Sequence, residues 1–546
     1  MDRMVNLASR RREVHAKLRS STCLVRSAQG HKCACGRLAS VRGSALSRRP
    51  KGNAMLRFFG SRRVACDGIS RRDLLHVGGL GLFGLGLSDY LRLQQLQAAA
   101  RPPTANFGQA KACILIYLFG APPQHETFDP KPAAPSEIRG EMKDIATRVP
   151  GLRIGEGLPK VAAIADRLTV VRSLTHEWPF HGVHYALSGI PTISKTVEAD
   201  PNDRSLWPFL GSVVDYLAQR RGETGLPRNI ALPFRLYSKV NFRLLGGPYA
   251  GFLGSRYDPI WTEFSKKGTH AVPNQAGKPD LFDPYAGIRP GDKFELTGPD
   301  TPPDLTPQRV GLRRSLLGQF ERARRSLDAA EQVRRFDRFR KVAYSLLTSA
   351  RLAQALDIER EALPVRETFG MTLFGQSLLA ARRLVEAGSK FVTVIWDAYG
   401  HFADGWDTHT YHYPRLKQFL LPGFDQSYSA LILDLEERGL LDQTLVLCLS
   451  EHGRTPKIQN VNGGGRDHWS QVYSAVFAGG GIARGRVVGK SDKHSATIKE
   501  RPVSPKDILA TTYHLLGIDP ATLLIDRSGR PVPLVQDASI VHEMLA

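Results

Sequence analysis

Cysteine is scarce in this chain. Of 546 residues six are cysteine, and Cys23, Cys33, Cys35 and Cys66 all fall near the N-terminus, leaving Cys113 and Cys448 for the rest. A disulfide framework is excluded, and Cys33-Ala34-Cys35 lacks a second pair at zinc-finger spacing. Cys113 and Cys448 each lie inside an apolar run, where a free thiol acts as a small core residue. Beyond residue 100 the one basic run that carries aromatics, Arg334 to Lys341, falls in the Arg-rich helical stretch from Arg309, whose charges read as a solvated face. The formal net charge of +23 is concentrated in the first hundred residues, which hold 19 Lys/Arg against 5 Asp/Glu. The remainder is only mildly basic, which argues against a nucleic-acid partner. A hydrophobic content of 42% with 8% aromatics excludes a disordered or fibrous chain. The length allows two or three average domains, or one large α/β domain with insertions.

The N-terminal hundred residues read as an address. Residues 1–54 are Arg-rich, without helical or strand periodicity, and are expected to be a disordered, non-native extension ahead of a natural start at Met55. Residues 55–100 follow the pattern of a twin-arginine signal peptide. Arg71-Arg72 precedes a weakly hydrophobic, glycine-rich stretch from His76 to Leu87, and Gln97-Ala98-Ala99-Ala100 offers a peptidase its small residues. The apolar stretch falls short of the ~20 residues of a membrane span. A mature chain from about Arg101, without a stable span and placed in the periplasm or outside the cell, is the expectation.

In the mature chain, Ala112 to Phe119 (ACILIYLF) reads as a buried parallel strand running into a loop at Gly120. Leu168 to Val171 is a second strand candidate. Residues 195–365 read as a long insertion, irregular to about 305 and then helical and Arg-rich from Arg309 to about Leu356. Thr372 to Ala387 is predicted as an amphipathic helix stopped by Gly388. Strands are then expected at Phe391–Ile395, Thr444–Leu449 and Val472–Ala478. Between the first two lies a helix whose face is marked by Phe424, Tyr428, Leu431 and Leu435. Ser504-Pro505-Lys506-Asp507 opens a last helix with a capping box. Such alternation predicts an α/β fold with a largely parallel sheet covered on both faces.

Three predicted strands end in polar clusters: Gln124-His125-Glu126-Thr127-Phe128-Asp129, then Asp397, His401, Asp404, Asp407 and His409, then Glu451-His452-Gly453-Arg454. Arg466-Asp467-His468 follows a dozen residues later. In parallel sheets the ligand crevice lies at the carboxyl ends of the strands. Carboxylate and imidazole groups there suit divalent cations, two of which about 4 Å apart can clamp a phosphoryl or sulfuryl group. Each residue also has a plainer reading. Asp407-Thr408-His409 could cap the next helix, and His125, His181 and His184 read, for all but one of them, as loop or core histidines. Arg454 and Arg466 could pair with neighbouring acids, or bind an anion bidentately.

Glu451-His452-Gly453 resembles the Asp-His-Gly element of the alkaline-phosphatase-like superfamily, and Asp397-x-x-x-His401 resembles its Asp-x-x-x-His ligand pair. Thr127-Phe-Asp-Pro-Lys131, Trp406-Asp-Thr-His409, Gly453-Arg-Thr-Pro456, Gly465-Arg-Asp-His-Trp469 and Arg501-Pro-Val-Ser-Pro-Lys-Asp507 resemble the bacterial domain-of-unknown-function family 1501, placed in that superfamily and abundant in planctomycetes. The resemblance covers about residues 105–535. It implies an alkaline-phosphatase-like three-layer α/β/α sandwich with a long insertion. It also implies two divalent cations (zinc, manganese or calcium). Asp397, His401 and His468 would hold one, with Asp407 and His409 as rivals for the first two. Glu451, His452 and a first-loop group such as Glu126 would hold the other.

The chain departs from the superfamily pattern in carrying Glu126 and Glu451 where Asp is usual, and in lacking the sulfatase Cys-x-Pro-x-Arg segment. The expected function is an exported metal-dependent hydrolase of phosphate or sulfate esters on a small molecule or polysaccharide. Thr127 is its first candidate nucleophile, with bound water and Ser173 as rivals, and Arg454 or Arg466 would neutralise the transferred group. The alternative is an inactive binding scaffold of the same fold; a phosphomutase is disfavoured by the export signal.

Overall fold

The computed structural model describes residues 106–190, 200, 203, 205–218, 226–237, 244–272, 281–296, 350–397 and 405–546. The expected leader, most of the Arg-rich helix from Arg309, and His401 lie outside the described residues.

Among the described residues the sheet has nine strands: β1 (Ala112–Leu118), β2 (Leu168–Leu174), β3 (Asn229–Leu232), β4 (Ile260–Glu263), β5 (Glu295–Leu296), β6 (Phe391–Trp396), β7 (Thr444–Leu449), β8 (Tyr473–Ala478) and β9 (Arg486–Val488). Their spatial order is β9-β2-β8-β7-β1-β6-β3-β4-β5. β1 lies between β6 and β7, parallel to both. β8 runs antiparallel to β7 and β2, and β5 is antiparallel to β4.

β1 is buried along its whole length, as its unbroken apolar run requires for a strand covered on both faces. Its side chains alternate: Ile114, Ile116 and Leu118 join one apolar core, Cys113, Leu115 and Tyr117 the other. The first core is closed by α1 (Pro159–Ala163), α4 (Leu363–Phe369), α5 (Leu373–Ala387) and α6 (Leu421–Glu437). The second is closed by α2 (Val183–Ser188), α3 (Leu210–Ala218) and α7 (Pro505–Leu515). This is the three-layer α/β/α sandwich anticipated above. Cys113 and Cys448 are free and buried in adjacent strands.

Local signals explain the helix ends. The Thr372 hydroxyl accepts from the Gly375 amide, and Gly388 closes α5 in the left-handed region at φ 112°. At α7, Ser504 and Asp507 form a complete capping box. Phe424, Tyr428, Leu431 and Leu435 are all buried along α6, and burying each such side chain contributes roughly 1.5–3 kcal/mol.

Residues 195–365 need correction. Far from being only an insertion, they supply α3 and the strands β3, β4 and β5 to the main sheet. β3 is four residues set just inside Pro227 and Pro233, and β5 is two residues long, too short for periodicity to reveal. Among the described residues no helix is long and apolar enough to cross a membrane.

Candidate metal centre

The carboxyl ends of β1, β2, β6 and β7 open on one edge of the sheet, and the antiparallel β8 enters it from that same edge. The segment just before β8 therefore joins the loops that follow the other four. It brings His468, while the β2 loop brings His181, the β6 loop Asp407 and His409, and β7 leads straight into Glu451 and His452.

Four imidazoles meet there. Ring centroids lie 4.2 Å apart for His181 and His468, 4.7 Å for His452 and His468, 4.9 Å for His409 and His468, and 5.1 Å for His181 and His452. In each, Nδ1 faces an oxygen: Glu451 Oε1 at 2.6 Å from His181, Asp467 Oδ1 at 2.7 Å from His409, Gly453 O at 2.8 Å from His452 and Pro179 O at 3.3 Å from His468. Assigned from these partners, Nδ1 carries the proton and donates, which leaves Nε2 with its lone pair. Three of those Nε2 atoms converge on Asp407. His409 Nε2 and His468 Nε2 are 3.1 Å apart, and Asp407 Oδ1 is 3.0 and 3.4 Å from them. His181 Nε2 is 3.2 Å from Asp407 Oδ2. His452 Nε2 is buried without a hydrogen-bond partner.

Lone pairs facing one another and a carboxylate call for a cation between them. The backing of imidazole Nδ1–H by a carboxylate or carbonyl is the usual support of a metal-binding histidine. His181, His452 and His468 form one group with donor atoms within 4.8 Å of one another; Asp407, His409 and His468 form a second, sharing His468. The residues present thus fit a divalent cation with nitrogen and oxygen ligands.

Burial and the neighbouring charges set the titration of these groups. Burial opposes the charge on Asp407, but Arg454, then His181, His409 and His468, hold its carboxyl well below the usual range. Burial, with His181, Arg454 and His468 beside it, holds His452 well below an ordinary imidazole and so neutral. Burial likewise opposes a proton on His181, yet the Asp407 and Glu451 carboxylates outweigh it and raise its pKa. His409 is raised chiefly by its hydrogen bond to Asp407.

Of the residues expected from sequence, the fold brings Asp407, His409, Glu451, His452 and His468 together. Glu451 faces the centre mainly as an orienting group, its Oε1 accepting from His181 and from the Gly120 amide at 2.8 Å while Oε2 is buried without a partner. Arg454 reaches Asp407, but it is fully buried and also donates to the carbonyls of Gly120, Ala121 and Arg466. It is a clamp on the β1 loop rather than a group open to a ligand.

Glu126, Thr127 and Arg466 are engaged elsewhere. Glu126 Oε1 accepts from Arg466 at 2.6 and 3.2 Å, and Oε2 lies 3.4 Å from His412 Nε2. The Thr127 hydroxyl donates to Pro123 O at 2.7 Å and is buried. Ser173 is buried within β2 against Gly489. Asp397 sits buried at the end of β6, near Tyr285, and belongs to neither ligand group. None of Asp407, Thr408 and His409 caps the helix that follows, His412–Arg415, whose N-cap position is Tyr411 without a side-chain cap; the Thr408 Oγ1 instead lies 2.7 Å from His412 Nδ1.

His181 is the residue that sequence reasoning left undistinguished from His125 and His184. Those two turn away from the centre toward backbone carbonyls, His125 Nε2 to His494 O and His184 Nε2 to Trp207 O. The available signal was its position, seven residues past the end of a strand bound for the same sheet edge.

A family model described as a protein of unknown function, DUF1501, matches residues 110–545. No curated protein matches the chain. Solved structures with similarity include Ps i-CgsB in complex with k-i-k-neocarrahexaose, at 12% identity and TM-score 0.34, covering 75% of this chain and 73% of that one. The lipoteichoic acid synthase LtaP from Listeria monocytogenes matches at 9% identity and TM-score 0.33, covering 81% and 79%. The PsFucS1 sulfatase from Pseudoalteromonas sp. matches at 9% identity and TM-score 0.34, covering 79% and 70%.

Proposed function

Starting from a chain that belongs to the DUF1501 family, we propose that it is an exported, metal-dependent hydrolase of phosphate or sulfate esters. One observation carries this reading: the Nε2 atoms of His181, His409 and His468 and the Asp407 carboxylate turn toward one another, with His452 grouped beside them, at the ligand-binding edge of the sheet. His181, His409, His452, His468 and Asp407 would hold one divalent cation or two, in place of the Asp397 and His401 pair. A bound cation supplies Lewis acidity toward an ester oxygen and a water acidic enough to ionise near neutral pH.

The protein's own groups do the positioning. Glu451 and Asp467 keep the protons of His181 and His409 on Nδ1, and Gly453 O does so for His452. Arg454 fixes Asp407 against the β1 loop. With the Thr127 hydroxyl donated to Pro123 O, the nucleophile is water. His181, His409 and His468 are half-exposed, so the centre opens to solvent on their side and His452 forms its floor. The substrate is an anionic ester on a small molecule or polysaccharide.

The test is the metal content of the purified protein, by plasma mass spectrometry, beside a His452→Ala/His468→Ala variant. One or two divalent ions per chain, lost in the variant, is the expected result. No ion retained after exposure to zinc, manganese and calcium would overturn the reading. The engagement of the Thr127 hydroxyl with Pro123 O also favours a second reading, a metal-binding scaffold without turnover. Hydrolysis of 4-nitrophenyl phosphate or sulfate by the loaded protein, absent from the variant, would decide against it.

A further inference from the structure

Two sequence motifs remain outside the metal centre: Thr127-Phe-Asp-Pro-Lys131 and Arg501-Pro-Val-Ser-Pro-Lys-Asp507. They meet. Lys131 from the first and Arg501 from the second line a cavity of about 360 Å³ together with Arg172 and Lys490, and among the described residues its acids are Asp129 and Glu500. Arg172 stands two residues before the end of β2, and Lys490 two residues past the parallel β9. The cavity thus lies along the same strand-end edge as the metal centre.

The charges do not balance. The Asp129 carboxylate is buried and heavily used: Oδ2 accepts from the hydroxyls of Ser491 and Ser495, and Oδ1 from Lys131 Nζ at 2.9 Å. Arg172 Nε is 3.7 Å from Oδ1 and has no hydrogen-bond partner; its Nη2 donates to Arg153 O at 2.7 Å. Burial works against the charge on Arg172, and Asp129 only partly offsets it. Two largely buried cations, Lys131 and Arg172, therefore share one carboxylate that already serves two hydroxyls, and desolvated charge in that state calls for a further anion. At the rim, Lys490 is a loose 3.7 Å from Glu500 with both side chains exposed. Arg501 is chelated by Glu543 at 2.7 and 3.1 Å and holds φ at 54°, an uncommon conformation that keeps its backbone at the cavity wall.

We propose that this cavity binds a tetrahedral oxyanion, sulfate or phosphate, between Lys131, Arg172 and Lys490. Resting on the hydrolase reading, the occupant becomes a second anionic group of the ester, so that the substrate class is polyanionic. The link between the two sites is short: Gln124 donates to Arg454 O at 2.8 Å and approaches Ser495 O, while Ser495 donates to Asp129.

Calorimetric titration at constant ionic strength tests the site, using inorganic sulfate and inorganic phosphate as probes. The protein carries His452→Ala/His468→Ala and is kept in chelator, so that the metal centre contributes no binding and its failure is scored separately. One saturable anion per chain is expected. Lys490→Glu is expected to weaken it by about tenfold or more, the loss of one charge-assisted contact, and Glu500→Gln to leave it equal or tighter. Lys490 is exposed, and an unchanged circular dichroism spectrum establishes that the variant is folded. Absence of saturable binding, or binding indifferent to Lys490→Glu, would overturn the proposal. Parallel titrations with a monosulfated and a disulfated hexose distinguish the source. A gain for the disulfated sugar in the metal-loaded native protein, removed by Lys490→Glu, assigns the cavity to a substrate group. Equal binding of the two sugars, with inorganic sulfate still bound, assigns it to the free ion.

Discussion

Arg466→Met is expected to destabilise the protein by about 3–5 kcal/mol, the usual cost of stranding a buried charge. Arg466 is fully buried and donates twice to Glu126 Oε1; it also serves the carbonyls of Ile138, Thr455 and Pro456. The same magnitude follows from titration. Burial would raise the Glu126 pKa, but Arg466 and then His412 bring it from an ordinary 4.5 down to about 2. At about 1.4 kcal/mol per pH unit, that shift is worth about 3 kcal/mol. Because the folded pKa is depressed, this stability is fully present above pH 4.5 and is lost as pH falls through about 2. Urea midpoints followed by tryptophan fluorescence at pH 7 and at pH 3 measure both effects. The variant should lose most of its stability margin at pH 7, and its dependence on pH below 4.5 should flatten. Glu126→Gln added to Arg466→Met should recover part of the loss, because no buried charge is then stranded. A variant with an unchanged midpoint but no bound metal would refute the reasoning and return Arg466 to the site.

Other outcomes are equally open to measurement. Gly120→Ala places a methyl 2.5 Å from the Asp407 amide at a φ of 104°; it should displace Asp407 and lower metal content while circular dichroism stays native-like. His125, buried and lowered to about 4 chiefly by desolvation, is neutral in the fold. Its contribution of about 3 kcal/mol is present above pH 6.5 and lost as pH falls toward 4, and His125→Gln should remove that slope from urea midpoints across the window. Arg71→Lys/Arg72→Lys should leave the protein unprocessed in the cytoplasmic fraction on immunoblotting, whereas normal export of that variant would rule out a twin-arginine leader.

The sequence disclosed most where one physical rule governs a segment. β1, β6 and β7 are unbroken apolar runs because both faces are covered, and α5 and α7 carry their caps in Thr372 and Ser504. β3 and β5 escaped notice because pairing, not pattern, makes them strands. Within the site, Glu451, His452 and His468 were legible as polar residues at strand ends. The partition of the remaining charges was not. Glu126 and Asp407 both follow strands, and both are acids facing an arginine and a histidine. Only the third dimension sends one into a sealed ion pair and the other to a cluster of imidazoles. His181 was obscured for a similar reason, since a lone histidine in a loop carries no mark of what will stand beside it.

The placement of β1 between β6 and β7 also has a consequence for biosynthesis. The first strand of the domain to leave the ribosome is the innermost, yet its two partners follow only after some 270 further residues, from Leu118 to Phe391 and beyond. At a synthesis rate of about 5–20 residues per second, that apolar strand waits roughly a quarter of a minute to a minute without either neighbour. Nothing upstream can pair with it in the finished order, so the centre of the sheet closes late and from the C-terminal side. A nascent chain halted before residue 390 should therefore bind holding chaperones and resist neither protease nor aggregation, whereas release past β8 should bring protection to the sheet and the histidine cluster together.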